Sequence, residues 1–222
     1  MESYSAFDII GPKMVGPSSS HTAGAARLGK IVGTITDFDI KSVIFKLHGS
    51  FAKTYRGHGT DRALMAGLLG MTQSDTRLKD ALKLAKDKGV DYKFEEADLG
   101  DVHPNTVEFI ITKNDGEMIN VMGSSIGGGE IKIIMINGLR LEFTGKLPTI
   151  ITKHKDHPGV LAKITAILAE HNLNIAFMSV FRQTRGKDAF MVIELDQITD
   201  KSVIDDIKNI NSDIDEVYLC QV

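Results

Sequence analysis

Apolar residues recur at two different spacings along the chain. Between positions 25 and 35 they stand three or four residues apart, which predicts an amphipathic helix. The same spacing predicts helices over 60–69 and 74–88. Over 43–49, apolar residues alternate with Lys46 and His48, so a strand is predicted there.

From position 91 onward the period changes to two, which predicts a run of short strands. Two breaks interrupt the run: His103-Pro104-Asn105, and the segment 124–129 (SSIGGG), whose glycines permit close approach of a backbone. Helices followed by antiparallel strands predict an α+β domain over 1–143. The predicted strands are 92–97, 106–113, 116–123, 130–136 and 139–143.

A new pattern begins after residues 144–148 (TGKLP), which are predicted to be a linker. The rest of the chain predicts a strand, a helix opened by Pro158, two strands, a second helix and a last strand. This βαββαβ order predicts a ferredoxin-like domain over 149–222, with both helices on one face of an antiparallel sheet.

Composition excludes several classes of function. The 222 residues carry a net charge of -3 with no basic run, so neither nucleic acid nor an anionic membrane is an expected partner. No apolar stretch approaches the ~20 residues of a membrane span, and the N-terminus lacks a signal-peptide pattern, so a cytoplasmic protein is predicted. The single cysteine, Cys220, cannot by itself form a disulfide or a thiolate-held metal site, and no metal ligands are assigned to this chain.

The first candidate site is a polar run that follows the Gly16-Pro17 turn. Hydroxyls after a proline favour a helix N-cap, and the unpaired amides of the first turn favour an anion such as a carboxylate. The helix dipole disfavours imidazolium, so the histidine of the run is predicted to be neutral. A well-capped helix with a surface histidine is the competing interpretation. The run consists of Ser18, Ser19, Ser20, His21 and Thr22.

The second candidate is His58, which stands between Gly57 and Gly59. Glycine on both sides predicts a mobile turn in which few neighbouring side-chain atoms surround the imidazole. Thr60 and Asp61 are the predicted N-caps of the helix that follows. A turn histidine exposed to solvent is the competing interpretation.

Residues 154–179 (HKDHPGVLAKITAILAEHNLNIAFMS) resemble the ACT domain, an amino-acid-sensing module fused to many metabolic enzymes. The resemblance covers most of 148–222. It implies a homodimer through this domain and a site for an amino-acid effector, although many ACT domains only dimerise. The helix that Pro158 opens would hold the carboxylate of such an effector. The implied effector residues are His154, Asp156, Gly159, Leu161 and Asn174.

The N-terminal half resembles the β subunit of the iron–sulfur-dependent L-serine dehydratases. The motifs GPSSSHTAGAARLG, GHGTDRA, HPN and SIGGG occur in the family's order. The resemblance implies conversion of L-serine to pyruvate and ammonia without pyridoxal phosphate. It also implies a 4Fe-4S cluster bound by cysteines of a partner α subunit, which agrees with the shortage of cysteine here. The domain is also similar to the allosteric substrate-binding domain of some 3-phosphoglycerate dehydrogenases.

The resemblance leaves the two histidines in alternative roles. His58 is the first choice for the base that removes the α-proton, oriented by Asp61 or Thr60, with His21 holding the substrate carboxylate; the reverse assignment stays open. Three hypotheses compete: a catalytic β subunit, a non-catalytic amino-acid-sensing regulatory subunit, and a structural dimer module. The predicted substrate-binding residues are Ser18, Ser19, Ser20, Thr22, Gly59, Thr60, Asp61 and Asn105.

Overall fold

The computed structural model describes residues 13–182, 184–210 and 213–221. Its contacts divide the chain into two compact units, Met1–Asn137 and Gly138–Val222. Each unit buries its own set of apolar side chains. Within the described ranges, no helix combines the length and the apolar character needed to cross a membrane.

The first unit contains four α-helices and five strands among its described residues. The helices are α1 (Ala25–Ile35), α2 (Gly49–His58), α3 (Thr60–Leu68) and α4 (Ala81–Asp87), and the last of these follows a 3-10 turn at Thr76–Asp80. The strands are β1 (Ser42–Leu47), β2 (Asp91–Glu96), β3 (Thr106–Thr112), β4 (Met118–Gly127) and β5 (Glu130–Ile136).

These strands form one sheet in the order β2-β1-β3-β4-β5. Strands β1 and β2 run parallel because α2, α3 and α4 cross over between them, whereas β3, β4 and β5 pair antiparallel in sequence order. The α+β prediction is confirmed. The expectation of an antiparallel strand over 92–97 is wrong, since this strand follows a helical crossover.

Helices α1 and α3 pack unusually closely because glycines face the contact. A Cβ atom added to Gly29 would lie 2.1 Å from the carbonyl oxygen of Leu64. One added to Gly67 would lie 1.9 Å from the carbonyl oxygen of Ala26. Only backbone atoms fit at this distance, so the two glycines set the spacing of the helices that carry the polar residues described below.

Strand β4 is longer than its sequence pattern predicts. It runs through Ser124 and Ser125, both buried, and ends at Gly127. Gly127, Gly128 and Gly129 then turn the chain with φ values of 107°, 61° and 83°. The predicted break at 124–129 is therefore wrong for its first half. Ser124 and Ser125 pair with residues of the neighbouring strands and do not form a loop.

The second unit has the predicted ferredoxin-like order. Its elements are β6 (Leu139–Phe143), β7 (Thr149–Lys155), α5 (Val160–Glu170), β8 (Ile175–Arg182), β9 (Asp188–Leu195), α6 (Lys201–Lys208) and β10 (Ile214–Cys220). Its sheet has the strand order β10-β7-β9-β8, with every neighbouring pair antiparallel. Its helices cover a core on one face that includes Ile150, Ile164 and Ile207.

The contacts divide the chain before the predicted linker at 144–148. The division falls between Asn137 and Gly138. Strand β6 contacts β8 and β9 of the second unit. The domain boundaries 1–143 and 149–222 stay predictions, because contacts alone do not test where an independently folding domain ends.

Candidate functional site

The polar run after Pro17 forms a π-helical turn, Ser19–Gly24, that continues into α1. Ser18 is its N-cap, and the Ser18 Oγ accepts a hydrogen bond from the backbone N–H of His21 at 3.1 Å. The Thr22 N–H bonds to the Ser18 carbonyl. The predicted cap chemistry is thus present, but the first turn is wider than an α-helical one.

His58 is the last residue of helix α2 rather than part of a glycine turn. Gly59 ends the helix in the left-handed region, with φ of 70°, and its N–H bonds to the Tyr55 carbonyl. The predicted mobile turn is therefore wrong, because glycine here terminates a helix. The His58 ring is exposed, and no described residue forms a hydrogen bond with its nitrogens.

The two candidate histidines lie side by side. Their ring centroids are 4.8 Å apart with an interplanar angle of 72°, an edge-to-face arrangement. The ring of Phe51 also packs edge to face with the ring of His21, with centroids 5.3 Å apart. The Thr22 hydroxyl also donates to the His58 carbonyl at 3.4 Å, which ties the first polar run to the end of α2.

Both nitrogens of the His21 ring face a serine hydroxyl. Nε2 is 3.1 Å from Ser50 Oγ, and Nδ1 is 3.5 Å from Ser18 Oγ. Partial burial, and secondarily the charge of His58, lower the pKa of His21 below its usual value of 6.5. The lowered pKa favours the neutral form that is predicted for His21. Its main cause is burial rather than the helix dipole.

A third segment reaches the site from β4. The Ser125 hydroxyl donates to the Ser20 carbonyl at 2.9 Å. The same hydroxyl packs against Gly24. Only glycine fits at this position, because a Cβ atom added to Gly24 would lie 2.0 Å from Ser125 Oγ. The Ser125 N–H donates to the Asn105 carbonyl at 3.0 Å, so the strand links Asn105 to the polar run.

The turn at His103-Pro104-Asn105 supplies a fourth segment. The Pro104 carbonyl accepts from the N–H of Ser50 at 2.8 Å and so fixes the start of α2. The side-chain oxygen of Asn105 is buried and has no hydrogen-bond partner in the structure. An unpaired amide oxygen beside such a site is a group that a ligand's donor could satisfy.

Thr60 and Asp61 do not act as predicted. The N-cap of α3 is Gly59, and it makes no side-chain cap bond. The Thr60 hydroxyl is completely buried without a partner, and Asp61 Oδ1 accepts from the N–H of Arg62. Burial raises the pKa of Asp61. Neither side chain forms a hydrogen bond with the ring of His58, so the expected orientation of that ring is not seen.

The predicted effector residues of the second unit are mostly engaged within the fold. Asp156 accepts from Arg182 at 2.8 Å and from the Gly186 N–H at 3.0 Å, and these two bonds, the second above all, lower its pKa. Asn174 bonds to Asp196, and Leu161 packs on the core.

His154 is the exception among these residues. It is 1% exposed, and its Nε2 has no hydrogen-bond partner. Burial lowers its pKa. Gly159, with φ of 95°, is the N-cap of α5, and the helix begins at Val160. The prediction that Pro158 opens this helix is therefore wrong by two residues, because Pro158 and Gly159 form the turn before it.

The residues that sequence reasoning missed are Ser50, Phe51 and Ser125. Ser50 and Phe51 stand next to strand β1 in a segment with no distinctive composition. Ser125 belongs to a segment that the glycines after it marked as a loop. A period-two test carried through position 127 would have placed Ser125 on a strand.

The donor set of this chain does not fit an iron–sulfur cluster. Its one cysteine, Cys220, is buried in the second unit. Over residues 13–182, 184–210 and 213–221, no group of three or more His, Cys, Asp or Glu side chains is arranged to hold a metal ion. A cluster would need cysteines from another chain.

Comparison with known proteins identifies the class. A family model described as "Serine dehydratase beta chain" matches residues 5–88, and one described as "ACT domain" matches residues 149–211. The "Probable L-serine dehydratase, beta chain" of Bacillus subtilis (strain 168) is 42% identical over 95% of both chains. The "L-serine dehydratase, beta chain" of Peptoniphilus asaccharolyticus is 42% identical over 89% of both. The chain belongs to the family of L-serine dehydratase beta chains with a C-terminal ACT domain.

A more distant likeness extends to a second kind of enzyme. The D-3-phosphoglycerate dehydrogenase of Bacillus subtilis (strain 168) is 25% identical over 84% of this chain and 35% of the dehydrogenase. The corresponding enzyme of Methanocaldococcus jannaschii is 27% identical over 84% of this chain and 35% of that enzyme. This agrees with the predicted likeness to part of such dehydrogenases.

Proposed function

We propose that this chain completes the active site of a two-chain L-serine dehydratase that converts L-serine to pyruvate and ammonia. The observation that carries the proposal is the convergence of four segments on two adjacent histidines. The polar run at 18–22, helix α2, the turn at 103–105 and strand β4 are joined by hydrogen bonds. Such convergence of hydroxyls, imidazoles and an unpaired amide is what an anionic or zwitterionic substrate requires.

In this proposal His58 is the base. Its ring is exposed and free of hydrogen bonds to described residues, so a lone pair can meet the α-proton of serine. His21 is held between two hydroxyls, and burial lowers its pKa, which suits it to binding the carboxylate through a neutral ring with the serines of the run. The exposed ring takes the proton, and the enclosed ring positions the substrate.

The reaction breaks Cα–H and Cβ–O bonds. His58 accepts the α-proton, the Cα–H electron pair forms the Cα=Cβ bond, and the Cβ–O bond breaks with its electron pair on oxygen. The departing hydroxide takes a proton from the His58 imidazolium and leaves as water, which returns His58 to its neutral form. Hydrolysis of the resulting enamine in water gives pyruvate and ammonia. A 4Fe-4S cluster on the α subunit would supply the Lewis acid for the leaving hydroxyl, and pyridoxal phosphate is not required. In this proposal the side-chain oxygen of Asn105, which is buried without a partner, accepts from the substrate's ammonium group.

Reconstitution tests the proposal. This chain, the cysteine-bearing α chain and the two together would be prepared without oxygen and assayed for pyruvate from L-serine. Activity only in the mixture supports a shared site. Full activity of the α chain alone would instead favour the second candidate, a non-catalytic amino-acid-sensing regulatory subunit. The likeness to one third of D-3-phosphoglycerate dehydrogenase favours that candidate, because a segment shared by two unlike enzymes need not carry the activity of either.

The ACT domain is proposed to form a homodimer and to bind an amino-acid effector. Strand β8 lies at the edge of its sheet and exposes Phe177, Met178 and Val180, to 66%, 42% and 40%. An exposed apolar edge strand is an unfavourable surface for a monomer. Pairing with β8 of a second copy would cover it. The cytoplasm is the proposed location.

A further inference from the structure

Ser50 is placed against His21 by contacts that do not depend on its own side chain. Its N–H donates to the Pro104 carbonyl at 2.8 Å, and its carbonyl accepts from the Thr54 hydroxyl at 2.8 Å. The backbone of this first turn of α2 is thus fixed on both sides. The Ser50 Oγ is left with one partner among the described residues, His21 Nε2 at 3.1 Å.

The partners of both ring nitrogens together set which way this hydrogen bond runs. Ser18 Oγ already accepts from the His21 backbone N–H, so its own proton is available for Nδ1 at 3.5 Å. A neutral imidazole carries one N–H and one lone pair. If Nδ1 accepts from Ser18, the ring proton is on Nε2 and is donated to Ser50 Oγ. The tautomer of a histidine is set by such partners.

We propose that Ser50 is a positioning residue that holds His21 in the Nε2–H tautomer and presents its own hydroxyl proton to an oxygen of the bound substrate. Because Ser50 Oγ accepts from the ring, its proton is not used within the described residues. The second half of the proposal rests on the proposed function, whereas the first half concerns this chain alone.

Nuclear magnetic resonance of the full-length chain tests the first half. Long-range proton–nitrogen spectra distinguish the two neutral tautomers, and the His21→Gln variant assigns the signals. Wild type is expected to show Nε2–H at His21, and Ser50→Ala is expected to shift it towards Nδ1–H. Ser50→Thr keeps the hydroxyl and should keep the tautomer. Tyr55→Phe removes a hydroxyl of the same helix that bonds to Arg56 and contacts neither Ser50 nor His21, so it should leave the spectrum of His21 unchanged.

A His21 tautomer that is the same in wild type and Ser50→Ala would overturn the proposal. Thermal melts of the three variants show whether each is folded, and Ser50→Thr provides a comparison if Ser50→Ala is not. Loss of the Nε2–H signal in Ser50→Thr as well as in Ser50→Ala would also contradict it, because the hydroxyl would then not be the determining group.

Kinetics of the complex with the α chain tests the second half. Ser50→Ala is expected to raise the KM for L-serine about 10-fold, with a smaller change in kcat, because a hydrogen bond to a charged oxygen is lost. Ser50→Thr should restore the KM. An unchanged KM in Ser50→Ala would overturn this half. If the wild-type complex turned over no serine, the proposed function would fail, while the tautomer experiment would still decide the role of Ser50.

Discussion

The rings of His21 and His58 meet edge to face with centroids 4.8 Å apart, although one histidine precedes helix α1 and the other ends helix α2. Their environments differ. Ser18 and Ser50 enclose His21, and burial lowers its pKa, whereas His58 is exposed. Two imidazoles that contact each other but lie in different environments are suited to separate roles: one can bind substrate and the other can exchange a proton.

Replacement of His21 should mainly weaken substrate binding. A hydrogen bond to a charged group contributes about 1.5–3 kcal/mol, which corresponds to a loss in kcat/KM of roughly 10- to 100-fold for His21→Gln. The change should appear chiefly in KM. Steady-state kinetics of the α–β complex measures it. A variant with wild-type KM and a strongly reduced kcat would reverse the roles proposed for the two histidines.

The close contact between α1 and α3 should make Gly29 intolerant of a side chain. Gly29→Ala places a methyl group against the Leu64 carbonyl and should destabilise the chain by about 1–3 kcal/mol. Gly57→Ala is the matched control, since a Cβ there has nothing within 4 Å. That variant should be stabilised by about 0.5–1 kcal/mol. Urea unfolding of both compares them, and equal stabilities would show that the helices can separate at no cost.

Sequence patterns predicted most of the architecture because the apolar periods are regular in both units. They failed where one residue type serves two structural purposes. The pattern predicts an open turn at Gly59, which ends a helix, and a loop at Ser125, which lies in a strand. Local patterns also could not reveal Ser50, whose importance comes from a contact with His21, which lies 29 positions earlier in the chain.

Acid should destabilise the second unit through His154. Burial holds its pKa below the usual 6.5, so the unfolded chain binds more protons as pH falls below 6.5, and stability decreases. His157 acts in the opposite sense. Its bond to Asp213 raises its pKa, so its stabilising effect is complete below pH 6.5 and is lost as pH rises through the higher folded value.

Melting temperatures at pH 7.5 and 5.5 would test these signs. His154→Leu should lose less stability than wild type on acidification, and His157→Gln should lose more. An identical pH response of wild type and His154→Leu would show that the buried imidazole does not limit stability in acid.

A charge on the edge strand should prevent the proposed homodimer. Phe177→Lys introduces an ammonium group on β8 and should shift the full-length chain from dimer to monomer in sedimentation experiments. Ile198→Lys is the control, because Ile198 is 78% exposed but lies outside the strands. A monomeric wild type, or a dimer that survives Phe177→Lys, would refute pairing through β8.

The central claim is that this chain contributes the base of a shared active site. The most direct measurement is pyruvate formation from L-serine by the anaerobic α–β complex with His58→Ala, beside His171→Ala as a control from the second unit. The account predicts that kcat falls by about 10²–10⁴-fold in His58→Ala, with the complex intact by gel filtration, and stays at the wild-type value in the control. Full activity of the His58→Ala complex would contradict it.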